Sequence, residues 1–266
     1  MKYIFQVLVL ALAMTTQAWS ADLSQEQVNA KLTRIDRLIT AKPGIALNYL
    51  ERGDIYYLLN NLPLALKDYS TAISLDDTQD KAYFGRGMTY GRMGLVEEGI
   101  ADLSVYIKRH PTSSVAYTKR GVRNIWRGNL PEAERDLTRA IELDPNNAEA
   151  HDDLGVVHAQ QHRVSIAAKH FKTAIKLDPS YQKAYHNLSM CYYMGGQSEN
   201  ALKIIDAGLE LDADNRNSLM LKATILQSLG REAEAKTLSD QAEFLPESNW
   251  TERSTISDVT NFVDKK

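Results

Sequence analysis

The residues that could do chemistry are few, and most sit together. His158 and His162 are four residues apart, with His151 and His170 nearby in the chain. On a helix that spacing puts two rings on one face, where two imidazoles can share a Zn(II) ion. No third ligand follows at the spacing of a metal motif. His151 and His158 also occupy periodic positions that elsewhere hold Tyr49, Tyr83, Tyr117 and Tyr185, and Tyr56, Tyr90 and Tyr192. Packing aromatics therefore account for both, and no metal ligand or cofactor is assigned. Metal or small-molecule binding by this His-rich stretch is the second reading of function. Gly-rich phosphate loops, paired Cys-x-x-Cys motifs and nucleophile elbows are absent, so no catalytic residue is assigned and an enzyme is not expected. Cys191, the one cysteine, cannot form an internal disulfide and reads as buried filler.

A second set of charged residues is paired by spacing. Arg52, Arg86 and Arg120 are each followed sixteen residues later by Asp68, Asp102 and Asp136. The three corresponding places further along lose both partners together: Leu154 with His170, Leu188 with Ile204, and Lys222 with Leu238. Such co-occurrence predicts a structural ion pair between two helices, worth little if exposed and more if half buried.

The elements that position these residues follow from a 34-residue period. Gly53, Gly87, Gly121, Gly155, Ser189 and Ala223 form one ladder of small residues. Ala65, Gly99, Ala133, Ala167, Ala201 and Ala235 form a second, and Ala72, Tyr106, Ala140, Ala174, Gly208 and Ala242 a third. A small residue at a fixed place in each of two helices lets their backbones approach, while large residues in the same register fill the space between. Tyr69, Leu103, Leu137, Phe171 and Ile205 are those wedges. Gly94, Gly128, Gly196 and Gly230 mark the break inside each pair, and Pro111, Pro145 and Pro179 its end.

These ladders, with the Asp144-Pro145 and Asp178-Pro179 endings, resemble the tetratricopeptide repeat family over residues 46 to about 247. The resemblance implies an all-α, right-handed superhelical solenoid of tandem helix-turn-helix repeats with terminal capping helices. The expected repeats are 46–79, 80–113, 114–147, 148–181, 182–215 and a degenerate 216–247, in which Ser239 stands where a large apolar residue belongs. A capping helix is expected in 21–45, where Val28, Leu32, Ile35 and Leu38 keep helical spacing, and a C-terminal cap or polar tail in 248–266. In this family the first helices line a concave groove that receives an extended peptide or a partner helix. Carried onto this chain, the groove positions are Asp54, Tyr57, Phe84, Met88, Thr118, Val122, Ile125, Asp152, Val156, His186, Met190 and Tyr193, an apolar and aromatic centre. Ile125 and Val156 can equally pack against neighbouring helices. The Lys, Asn and Arg clamp of the subfamily that binds chaperone tails is missing, since Leu50, Asp54, Gly85, Val115 and Lys119 stand in its places.

Residues 1–20 differ from the rest: Lys2 is followed by an apolar run from Ile4 to Met14 broken only by Gln6, and then by small residues. This composition predicts a secretory signal peptide, with cleavage after Ala18 or after Ser20. The run is too short for the roughly twenty residues of a spanning helix, so no stable membrane insertion is expected after cleavage. A net charge of −3 and a pI near 6.1 leave no basic footprint for nucleic acid. The sequence thus predicts an exported scaffold, periplasmic or secreted, that binds a protein or peptide in an apolar groove. Two glycosylation sequons, at Asn187 and Asn249, carry little weight.

Overall fold

The computed structural model describes residues 25–246, and all thirteen of its helices there are α-helices with no strand between them. Residues 1–20, where a signal peptide is expected, the C-terminal stretch 248–266 and the Asn249 sequon lie outside the described residues. The chain divides into two compact units, one ending at Gln79 and the other beginning at Asp80.

The first unit holds α1 (Gln25–Ala41), α2 (Ala46–Leu58) and α3 (Leu62–Leu75). α1 packs on α2, and Ile35 is its buried anchor. Gly53 of α2 meets the Tyr69 ring of α3, where an added methyl would lie 3.0 Å from the ring. The close approach of the two helices therefore rests on the absence of a side chain.

The second unit holds ten helices: α4 (Asp80–Arg92), α5 (Val96–Arg109), α6 (Ser114–Trp126), α7 (Leu130–Leu143), α8 (Ala148–Gln160), α9 (Val164–Leu177), α10 (Gln182–Met194), α11 (Ser198–Leu211), α12 (Arg216–Ser228) and α13 (Glu232–Glu243). Each helix packs on the next, as in a helix-pair array. First helices also touch the following first helix, α4 on α6, α6 on α8, α8 on α10 and α10 on α12, whereas second helices make no comparable contact with one another among the described residues. Within this unit the first helices therefore line the inner side.

Local chemistry explains the breaks. Gly94, Gly128, Gly196 and Gly230 all have φ between 70° and 79°, the left-handed conformation that glycine adopts without strain. His162 completes their 34-residue ladder at φ 60°, and Asn60 does so in the first unit at φ 56°. Asn147 and Asn215 accept from the backbone N–H three residues on, capping α8 and α12. The wedges Leu103, Leu137, Phe171 and Ile205 are buried against the small-residue ladder, in cores that run from one pair to the next.

Candidate binding face

Three arginines and three aspartates form bidentate pairs inside their own helix pairs. Arg52 Nε and Nη2 donate to Asp68 at 2.7 and 2.8 Å, Arg86 to Asp102 at 2.6 and 2.9 Å, and Arg120 to Asp136 at 2.9 and 2.7 Å. The aspartates are buried and the guanidiniums mostly so. Arg52 lies over Tyr49 and Tyr56, Arg86 over Tyr83 and Tyr90, and Arg120 over Tyr117, so aromatic faces stabilise the cation that the carboxylate neutralises. These groups join first helix to second and leave little to offer a ligand.

The twelve groove positions separate into several kinds. In the first unit Asp54 accepts from the Tyr69 hydroxyl at 2.7 Å and Tyr57 is buried. In the second unit Phe84 and Met88 are buried, Phe84 tilting against Tyr106 with ring centres 5.1 Å apart. Ile125 packs on the core between α6, α7 and α8, and Val156 on that of α8, α9 and α10. Met190 and Tyr193 pack against the core of α11, α12 and α13. Val122 and His186 are half-buried, and burial pushes the His186 pKa down to about 4. Thr118 and Asp152 are fully buried and hydrogen-bonded: Thr118 accepts from Asn147 at 3.0 Å, and Asp152 from Asn187 at 2.9 Å.

In the second unit, ion pairs also join neighbouring first helices. Lys119 of α6 donates to both oxygens of Glu149 of α8 at 2.7 and 2.9 Å. Lys183 of α10 reaches Asp153 at 2.9 Å and Asp152 at 3.1 Å, both on α8. Burial alone would lower the Lys183 pKa, but Asp153 and Asp152 outweigh it and push it up. Burial pushes the Asp153 carboxyl up to about 6, even against Lys183. Its Oδ2 is buried without a hydrogen-bond partner among the described residues, an arrangement that normally costs free energy. Arg123 of α6, also fully buried, crosses to α4, where its Nη2 lies 3.5 Å from Met88 Sδ. It fits because Gly91 leaves room: a methyl there would stand 2.3 Å from the guanidinium.

Sequence reasoning missed Lys119, Glu149, Asp153, Lys183 and Asn187. A usable signal was present, because Lys119 with Glu149 and Asp153 with Lys183 are opposite charges spaced thirty residues apart. That spacing joins the middle of one first helix to the start of the next.

Histidine placement also differs from the spacing argument. His162 is exposed in the turn after α8, held by its left-handed backbone, so its four-residue relation to His158 does not bring the two to a common ion. His170 of α9 is instead the partner of His151, with Nδ1 atoms 3.2 Å apart. Among the described residues no group of three or more His, Cys, Asp or Glu is arranged around a metal position. Nor is any described helix long and apolar enough to cross a membrane.

Models of the tetratricopeptide repeat match residues 53–94 and 126–162, 160–225, and 81–113. The chain belongs to the tetratricopeptide repeat family. Among solved structures, a tetratricopeptide repeat protein from Parabacteroides merdae is 19% identical, with TM-score 0.72, covering 85% of this chain and 90% of that one. A chain of the anaphase-promoting-complex assembly Cut9–Hcn1 gives the same TM-score at 19% identity over 81% of this chain, which spans only 43% of that relative. YrrB, described as a tetratricopeptide repeat protein with an unusual peptide-binding site, is 23% identical with TM-score 0.54, over 70% of this chain and 95% of its own. These identities establish a shared fold, an all-α solenoid of helical repeats, and nothing finer. No curated protein sequence matches the chain.

Proposed function

We propose that this chain is a non-catalytic interaction scaffold that binds a peptide or partner helix along the first helices of its second unit, outside the cytoplasm. One observation carries the reading: α6, α8 and α10 lie side by side, and Glu149, Lys183 and Asn187 stand partly exposed between them, the first two held by buried Lys119 and Asp153. A strip of fixed donors and acceptors reads the polar groups of an extended chain better than it reads a small apolar molecule. The composition of residues 1–20 supports export, to the periplasm or the secreted space. The charge balance supports a protein ligand over nucleic acid.

Photocrosslinking tests the assignment. Benzoylphenylalanine would replace Val122, Val156 or Tyr193 on first helices, with Arg139, Lys172 or Lys203 on second helices as controls. Discrete adducts from the first set alone are the expected result. Equal labelling from both sets, or adducts only from the controls, would move binding off this face. N-terminal sequencing of the chain made in cells tests export: a start at residue 19 or 21 is expected, and an intact Met1 refutes it.

A further inference from the structure

α9 differs from the other second helices in its charge. Among α3, α5, α7, α9, α11 and α13 it is the one with no acidic residue, and it carries Lys169, Lys172 and Lys176. Residues at i, i+3 and i+7 share one face of a helix, and all three lysines are exposed. On other second helices, outward cations close on acids of their own helix: Arg135 on Glu132, Arg139 on Glu142 and Lys236 on Asp240.

The other charges nearby are already engaged. From Gln160 to Ser198 the chain has five lysines and arginines against a single acid, Asp178, although its net charge is −3. Arg163 reaches Glu134, and Lys183 reaches Asp152 and Asp153. Asp178 accepts from the backbone and the hydroxyl of Ser180. Lys169, Lys172 and Lys176 join no ion pair among the described residues, and the Lys172 ammonium lies over the Tyr192 ring, 5.3 Å from its centre. Like charges three and four residues apart repel and weaken a helix. Packing requires none of the three, because Ala167, Phe171 and Ala174 make the buried side of α9. An anionic partner would relieve the repulsion.

We propose that this face of α9 docks the protein on an anionic lipid bilayer. Lysines are compact charges on flexible stems, which the field of a bilayer attracts without any fixed geometry. A polypeptide partner is held best by arginine forks and aromatic anchors. α9 has no arginine, and its one phenylalanine, Phe171, is buried. Ile166, 38% exposed, adds a small apolar contact at the edge of the stripe. Each lysine near an anionic leaflet multiplies adsorption roughly fivefold, so three together give about a hundredfold over a neutral bilayer. At physiological salt the screening length is about 8 Å, so acids on distant parts of the chain do not cancel the attraction. The apolar side of α9 stays in the core, which makes the contact adsorption of a folded surface and not insertion.

Sedimentation with sucrose-loaded vesicles tests this. At about 0.1 M salt the purified full-length chain should bind phosphatidylglycerol vesicles roughly tenfold or more better than phosphatidylcholine vesicles, and about 0.5 M salt should release it. Lys169→Gln, Lys172→Gln and Lys176→Gln together should abolish that preference at unchanged helical circular dichroism. Lys31→Gln, Lys67→Gln and Lys108→Gln remove exposed lysines from other helices, change the net charge equally, and should leave the preference in place. Any attraction from the apolar run near the N-terminus is common to all three chains. No preference for phosphatidylglycerol in the wild type, the same preference in the α9 variant, or an equal loss in the control variant would each overturn the proposal. Lysine-dependent capture by polyglutamate, without a preference among vesicles, would also overturn it and assign the face to an acidic polypeptide. None of these outcomes depends on what occupies the inner face.

Discussion

Asp102→Ala removes the two carboxylate oxygens that accept from Arg86 while leaving the cation in place. The Asp102 side chain is 8% exposed and that of Arg86 19%, so the charge stays mostly out of water. Breaking a buried ion pair from one side costs about 3–5 kcal/mol. Partial exposure and the two tyrosine rings beside Arg86 soften the loss, and we expect about 2–3 kcal/mol. The chain itself supplies the compensating double variant. Its fifth helix pair puts buried Leu188 and half-buried Ile204 at the same two positions, so Arg86→Leu with Asp102→Ile should lie within about 1 kcal/mol of the wild type. Equilibrium urea unfolding followed by circular dichroism, with Arg86→Leu and Asp102→Ile alone completing the cycle, measures the coupling. A cost below about 0.5 kcal/mol for Asp102→Ala, or a double variant as unstable as the summed singles, would show that the pair does not act as argued.

Gly155→Ala should destabilise the fourth pair, because the added methyl would stand 2.6 Å from the buried Phe171 ring. Overpacking costs about 1–3 kcal/mol and improved helix propensity returns roughly 1, so a small net loss is expected in thermal melts. Gly53→Ala, whose methyl meets Tyr69 at 3.0 Å, should cost less. Burial holds His186 neutral down to about pH 4, whereas the unfolded chain takes up a proton below about pH 6.5. The unfolded state then binds more protons, so the stability contributed by neutral His186 is lost as pH falls from about 6.5 toward 4. His186→Gln should flatten that part of the urea-midpoint profile, and an unchanged slope would exclude it as the source. Cys191 is buried and its thiol is pushed up to about 11, so Ellman's reagent should label it only after unfolding.

The helix pairs were legible because their determinants repeat. Gly87 beside Leu103 and Gly121 beside Leu137 express one steric requirement at fixed spacing, and Arg86 with Asp102 expresses one ion pair the same way. The four-residue spacing of His158 and His162 would put them on one face only if the helix continued through it. His162 instead stands on the rung of the turn glycines, where the backbone turns left-handed. The groove positions were less legible for another reason. A first-helix residue such as Met88 is used up in a contact whose partner, Arg123, comes from the next first helix, and a within-repeat ladder does not record that partner.

That distinction says where ligand specificity can reside in the second unit. The small-residue contacts within a helix pair meet one shared steric rule, Gly87 against Leu103 and Gly121 against Leu137. Contacts between successive first helices obey only mutual complementarity. Lys119 with Glu149, then Asp153 with Lys183, reverse the order of charge from one junction to the next without disturbing either helix pair. Reversing the charges of one such pair would preserve its attraction while inverting the pattern offered along the inner face. Lys119→Glu with Glu149→Lys is that exchange: a ligand read by charge should lose binding to a chain that still folds, whereas a ligand read by apolar contact should bind both forms alike.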